Sequence, residues 1–280
     1  MLQLRDLRVC GLAPLVALGL QATVAPASTA VAQDLGKNWE TTTEPAGVGS
    51  REIWFGADAG AHNWLVYSGS TYAPFGDIHA DGLRLRASSG YGQYSYRFDI
   101  NTPVKAYKTT ADVMIGYQYR IGELTAKAFF GWAMLNNEFD VPARSLHLQK
   151  FENGAKGALE LWLNLGASAW TSLDFNYADT RSTWSVRSRT GYRVLPTVSV
   201  GIEGAFNHSD LTGEVQASTK FSVEGNTRVG AFARYEWFGG EISASGGYSG
   251  DWIERKGANA GTDILNRPQV YGTVNLIIQY

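Results

Sequence analysis

Four histidines, His62, His79, His147 and His208, are the first candidates for acid–base chemistry. Only His208 has a hydroxyl and an acid beside it, in Asn207-His208-Ser209-Asp210, a grouping comparable with the Ser/His sites of membrane lipid hydrolases. Successive residues of a strand point to opposite faces, so His208 and Ser209 do not form a nucleophile–base pair there. A polar surface loop is the simpler account. No G-x-S-x-G, H-E-x-x-H or phosphate loop occurs, and no EF-hand spacing supports a calcium site. The single cysteine, Cys10, excludes an internal disulfide and a structural zinc site. The expectation is a non-enzymatic protein with no cofactor and no metal.

A second set of residues carries charge at alternate positions. Arg84, Arg86, Asp112, Arg120, Lys127, Glu160 and Asp174 each fall on the polar parity of their own segment, as do Arg187, Arg189, Arg193, Glu203, Arg228, Arg234 and Glu236. Phe129, Trp162, Trp170, Phe232 and Tyr271 share that parity. If these segments are strands enclosing an interior, unpaired charges there are costly and must pair or face water. Two readings follow: a salt-bridge network that fills the interior, or a narrow polar conduit with an arginine-rich wall. The aromatics likewise either plug the interior and anchor its rim or hold a sugar chain. Rings stack on the C–H face of a pyranose, and neighbouring Asn, Asp and Glu reach its hydroxyls.

The elements that must position these residues are strands. From Arg51 onward the apolar period is two, not 3.6. Ala111, Val113, Ile115, Tyr117, Tyr119 and Ile121 face one way, and Thr110, Asp112, Met114, Gly116, Gln118 and Arg120 the other. Leu124 to Met134, Leu159 to Leu165, Leu173 to Tyr177, Val198 to Phe206, Val229 to Trp237 and Val274 to Tyr280 repeat the pattern. About twelve such segments are legible, within a range of ten to fourteen, many near the ~9–11 residues that a tilted membrane strand needs.

The turns provide an internal test. A two-residue hairpin loop flips the apolar parity and a three-residue loop preserves it. Gly122-Glu123 joins odd Ile121 to even Leu124, and Gly166-Ala167-Ser168 joins odd Leu165 to odd Ala169. Leu195-Pro196-Thr197 joins even Val194 to even Val198, and Phe238 to Glu241 joins odd Trp237 to even Ile242. All four agree with antiparallel pairing of sequence neighbours. Longer connections are expected at Leu135–Lys156, Asp179–Arg181, His208–Gly225 and Asp251–Arg267. Short turns at one end and long loops at the other describe a bacterial outer-membrane barrel, with the short turns periplasmic.

Composition agrees with this architecture. Of 280 residues, 18% are charged and 12% aromatic, with 32 glycines, so charge is sparse and aromatics are abundant. A net charge of −2 gives no basis for nucleic-acid binding. Residues 1–32 read as a signal peptide: Arg5 and Arg8, an apolar run from Val9 to Leu20, then Ala30-Val31-Ala32 as a cleavage site. Cleavage removes the only cysteine. Residues 33–50 read as a flexible periplasmic lead and residues 51–280 as the barrel.

A secreted β-sandwich also alternates polar and apolar faces. Three features favour a membrane barrel. Trp132, Tyr177, Trp184, Tyr192, Trp237 and Tyr280 stand where an interfacial girdle would. The chain ends in Val274, Leu276, Ile278 and Tyr280, a pattern that resembles the C-terminal signal for membrane assembly. Closure also removes the sheet edges that a sandwich would have to protect.

The most distinctive stretch is Trp54–Phe98. It holds Gly56-x-Asp58, then Tyr67-Ser68-Gly69-Ser70-Thr71-Tyr72-Ala73, Asp81-Gly82-Leu83-Arg84-Leu85-Arg86 and Gly90-Tyr91-Gly92-Gln93-Tyr94-Ser95-Tyr96. This order resembles the cellulose biosynthesis protein BcsS family. The resemblance implies an outer-membrane accessory role in making or exporting cellulose, as conduit or scaffold. Outer-membrane lipid, the β-glucan and cellulose-synthase subunits are the implied partners, and no catalytic residue carries over. The whole reading is an all-β, single antiparallel up-and-down transmembrane barrel. A general small porin or surface-interaction barrel is the alternative, and a lipid-modifying barrel enzyme a third.

Overall fold

A computed structural model describes residues 49–61, 63–97, 103–141, 146–209, 223–250 and 269–280. The expected signal peptide, nearly all of the expected lead, residues 210–222 of the expected loop His208–Gly225 and the expected loop Asp251–Arg267 lie outside the described residues, while His208, Ser209 and Val223 to Gly225 of the former belong to strands and not to a loop. Twelve strands follow one another: β1 Arg51–Gly60, β2 Asn63–Tyr72, β3 Gly82–Arg97, β4 Pro103–Ile121, β5 Leu124–Val141, β6 Leu146–Leu165, β7 Ala169–Ala178, β8 Thr183–Leu195, β9 Val198–Ser209, β10 Val223–Trp237, β11 Gly240–Gly250 and β12 Gln269–Gln279. Each pairs antiparallel with its sequence neighbours, and β1 pairs with β12 to close the barrel. Closure leaves no edge, the condition for a sheet to sit in hydrocarbon.

The period-two pattern decides the two surfaces. Val113, Ile115 and Tyr117 of β4 point outward and are exposed, while Asp112, Met114 and Gln118 point inward and are buried. Phe130, Trp132 and Met134 form the outer face of β5, and Ile202 and Val229 those of β9 and β10. Such an apolar outer surface is the opposite of what water selects and is what a bilayer selects. Val274, Ile278 and Tyr280 are likewise exposed outside, with Ile278 paired to Ile53 across the β1–β12 seam.

Strand lengths differ around the wall. β1 and β2 have 10 residues each, which at ~3.3 Å per residue and ~40° tilt span about the ~25 Å apolar band. β4 has 19 and β6 has 20, roughly twice that height. The expected loop Leu135–Lys156 is therefore mostly strand: β5 runs on to Val141 and β6 begins at Leu146. Beyond the hydrocarbon the outer face turns polar, as at Asn136 and Glu138, while Leu135, Asn137 and Phe139 stay buried inside. The polarity contrast disappears there although the strand does not.

The turns at the end holding the C-terminus are short. Gly122-Glu123, Gly166–Ser168, Pro196-Thr197 and Phe238-Gly239 make them, with Gly122 at φ 57 and Gly239 at φ 80 in the left-handed region that glycine tolerates. Two details differ from expectation. The third turn has two residues, and the parity is restored by a bulge between Arg193 and Leu195. The fourth also has two, because Gly240 already pairs with Trp237. One connection at this end, residues 73–81, is long. It had no counterpart in the sequence reading.

Candidate functional site

The interior is the candidate site, and toward the C-terminal end it is filled. Near the C-terminal end, Trp162 of β6 and Trp170 of β7 stack with centroids 4.2 Å apart and planes at 17°. Phe232 of β10 reaches Trp170 at 5.4 Å. The Arg234 guanidinium lies over both indoles, at 4.8 and 5.2 Å, and forms ion pairs with Glu236 and Glu241. Trp170 Nε1 donates to Ser199 Oγ at 3.3 Å, and Trp162 Nε1 to Asn164 Oδ1 at 3.3 Å. Arg193 joins the rim by donating to the same Asn164 oxygen at 2.9 Å. Glycine makes room for this cluster: a Cβ on Gly191 would stand 2.5 Å from Trp170 Cε2.

Further along the lumen, charges pair across the barrel. Arg86 of β3 bridges to Glu160 of β6 and covers the Phe129 ring at 3.7 Å. Glu203 of β9 accepts from Arg187 at 2.6 Å, Arg189 at 3.1 Å and the Tyr271 hydroxyl at 2.7 Å. Arg228 of β10 pairs with Asp58 of β1, and the Tyr67 hydroxyl donates to Asn275. Asp112 accepts from Lys156 at 2.5 Å and from Ser88 at 2.6 Å. These are charge-assisted contacts in a space from which water is largely excluded, so each removed partner strands a buried charge.

The connection 73–81 is anchored against the lumen at the C-terminal end. Its Ile78 is almost wholly buried, and Arg84 donates to the carbonyls of Ile78 at 3.0 Å, Asp77 at 3.3 Å and Ala80. Gln118 Nε2 donates to the His79 and Ala80 carbonyls at 3.0 and 3.1 Å, and Arg120 Nη2 to His79 at 3.5 Å. Arg84 and Arg120 thus both reach carbonyls of this loop.

The five interior aromatics divide among separate contacts. Trp162, Trp170 and Phe232 form one cluster, Phe129 packs with Met114 and Ala158, and Tyr271 binds Glu203. Sequence reasoning missed Asp58, Lys108, Lys156, Ser199 and Glu241. Asp58 stood in the Gly56-x-Asp58 motif, and Glu241 was assigned to a turn. His208 stands on the outer face, its ring 5.9 Å from Trp184, and Asp210 lies outside the described residues.

A closed antiparallel barrel with an apolar outer belt and a polar lumen is a barrel of the outer-membrane type. Among solved structures the chain is similar to the CymD monoaromatic hydrocarbon channel, at 8% identity and TM-score 0.50 over 84% of this chain and 89% of that one. It is also similar to the KdgM porin (11%, TM-score 0.46, 82% and 99%) and to the translocator domain of autotransporter NalP from Neisseria meningitidis (12%, TM-score 0.47, 85% and 90%). At 8% identity the CymD likeness speaks to the fold alone. No curated protein matches the chain. The chain belongs to the cellulose biosynthesis protein BcsS family, whose model matches residues 53–279, nearly the whole barrel.

Proposed function

We propose that this protein is a non-catalytic outer-membrane scaffold in cellulose production, exported by a signal peptide at residues 1–32 and carrying a flexible periplasmic lead at 33–50. Family membership supports the link to cellulose. The observation that favours scaffold over conduit is the plug in which Arg234 bridges Trp162, Trp170, Glu236 and Glu241 across strands β6, β7, β10 and β11. A hydrated glucan chain is about as wide as a pair of side chains and cannot pass while these groups interlock. Partners then dock on the rims and the outer wall, and the terminal Val274, Leu276, Ile278 and Tyr280 serve assembly into the membrane.

Planar-bilayer conductance combined with a cellulose export assay tests this. The scaffold reading expects a closed wild-type barrel whose loss lowers export. It also expects a Trp162→Ala/Trp170→Ala variant that still assembles and still supports export. Failure of that variant to support export, despite normal membrane assembly, would move the interior aromatics into the path of the glucan.

A further inference from the structure

The far end of the lumen, away from the C-terminus, carries a cation with no carboxylate of its own among the described residues. Lys108 of β4 is 5% exposed and faces inward. Its acidic neighbours are committed elsewhere. Asp112 is taken by Lys156 and Ser88. Glu152 is taken by Lys150 at 2.7 Å and approached by Arg181 at 3.8 Å. Asn137 of β5 stands opposite Lys108 in the register, is 0% exposed, and has neither amide atom hydrogen-bonded among the described residues. The Thr110 hydroxyl, two residues along β4 on the same face, is buried and unbonded as well.

A fourth group is brought in from above. The connection between β7 and β8 forms a 3-10 turn, Thr180–Ser182, in which Arg181 has φ 55 and Ser182 φ 44. Two successive non-glycine residues in the left-handed region cost on the order of 1–3 kcal/mol each and persist only where the surroundings impose them. The result is a largely buried Arg181 whose guanidinium lies 5.8 Å from the Phe139 ring, two residues along β5 from Asn137. Lys108 also lines a recess with Asp58, Asn63, Trp64, Gly92 and Arg228, beside the β1–β2 turn, and the Asp58 carboxylate there is taken by Arg228.

We propose that this end of the lumen is a binding site for a small oxyanion, a carboxylate or phosphate group. Lys108 binds the charge, Arg181, itself facing Glu152, adds to the positive field around it, and Asn137 and Thr110 bind hydroxyls attached to it. A buried cation without a carboxylate and an unbonded buried amide are both costly unless a ligand or water satisfies them. Side-by-side donors of this kind match an acidic sugar or a phosphorylated one. The inference goes beyond the scaffold reading and does not depend on it.

Calorimetric titration of the full-length folded protein in detergent tests it, with inorganic phosphate, glucuronate and neutral glucose as probes. Saturable binding of phosphate or glucuronate but not glucose is expected. Lys108→Met should weaken it by about tenfold or more, and the outward-facing Lys105→Met should leave it unchanged. A glucuronate preference that disappears in Asn137→Leu identifies an acidic sugar as the source of the anion. Equal affinity for both probes identifies the bare anion. The proposal is overturned if neither anion binds saturably to wild type, or if Lys108→Met and Asn137→Leu bind as wild type does. Because Lys108→Met removes an uncompensated buried charge, it should fold, with a urea midpoint at or above that of wild type.

Discussion

Trp162 and Trp170 are stacked on neighbouring strands at 4.2 Å, and the Arg234 guanidinium covers both rings. Trp170 sits opposite Asn164 in the β6–β7 register, so the two indoles are diagonal neighbours and not a direct pair. That offset brings them into face-to-face contact and lets one arginine cover both. Replacing both by alanine should open the lumen at this point. Single-channel recordings should show a conductance increase over wild type, and each single Trp→Ala variant should lose about 3–5 kcal/mol of stability, read from urea unfolding.

Gly191 tests the same cluster from the opposite side. A Cβ there would stand 2.5 Å from Trp170 Cε2, and the ring is held by Ser199 and Arg234 and cannot retreat cheaply. Gly191→Val should cost about 1–3 kcal/mol of barrel stability, read as a lower urea midpoint and a lower temperature for the heat-induced gel shift.

Asp58 and Arg228 are 170 residues apart and pair inside the barrel. Arg228→Ala strands the Asp58 carboxylate and should destabilise by about 3–5 kcal/mol. The double variant Asp58→Leu/Arg228→Met removes both charges and should recover much of the loss. Equal midpoints for the single and double variants would show that the pair itself, and not the stranded charge, sets the cost.

Arg84 pins the connection 73–81 through its carbonyls. Arg84→Ala should release this segment, and limited proteolysis should then cut between Ala73 and Asp81, where the wild-type chain resists. Arg84→Lys should rescue only in part, because an ammonium cannot present the forked donors that reach several carbonyls at once.

Particular residues show why some of this was legible beforehand. Leu165 and Ala169 fall on the same parity across a three-residue turn, and Ile121 and Leu124 on opposite parity across a two-residue turn. Those local facts are enough to pair β6 with β7 and β4 with β5. The same reasoning stopped at Leu135, because above the hydrocarbon Asn136 and Glu138 replace the apolar outer residues. It also gave no sign that residues 73–81 fold back beneath the lumen. The anchors of that loop, Gln118 and Arg120, belong to a different strand.

The amino-acid sequence by itself determined the strand pattern, the neighbour pairing and the division of side chains between lipid and lumen. Those properties arise from a two-residue backbone period and from the length of each turn, both read within a few residues. Only the tertiary structure decided what the lumen contains. Barrel closure sets β1 against β12 and brings Asp58 to Arg228, Glu203 to Tyr271, and Arg234 to Trp162 and Trp170. Whether inward charges pair or stay open depends on those distances across the barrel, which no local period encodes.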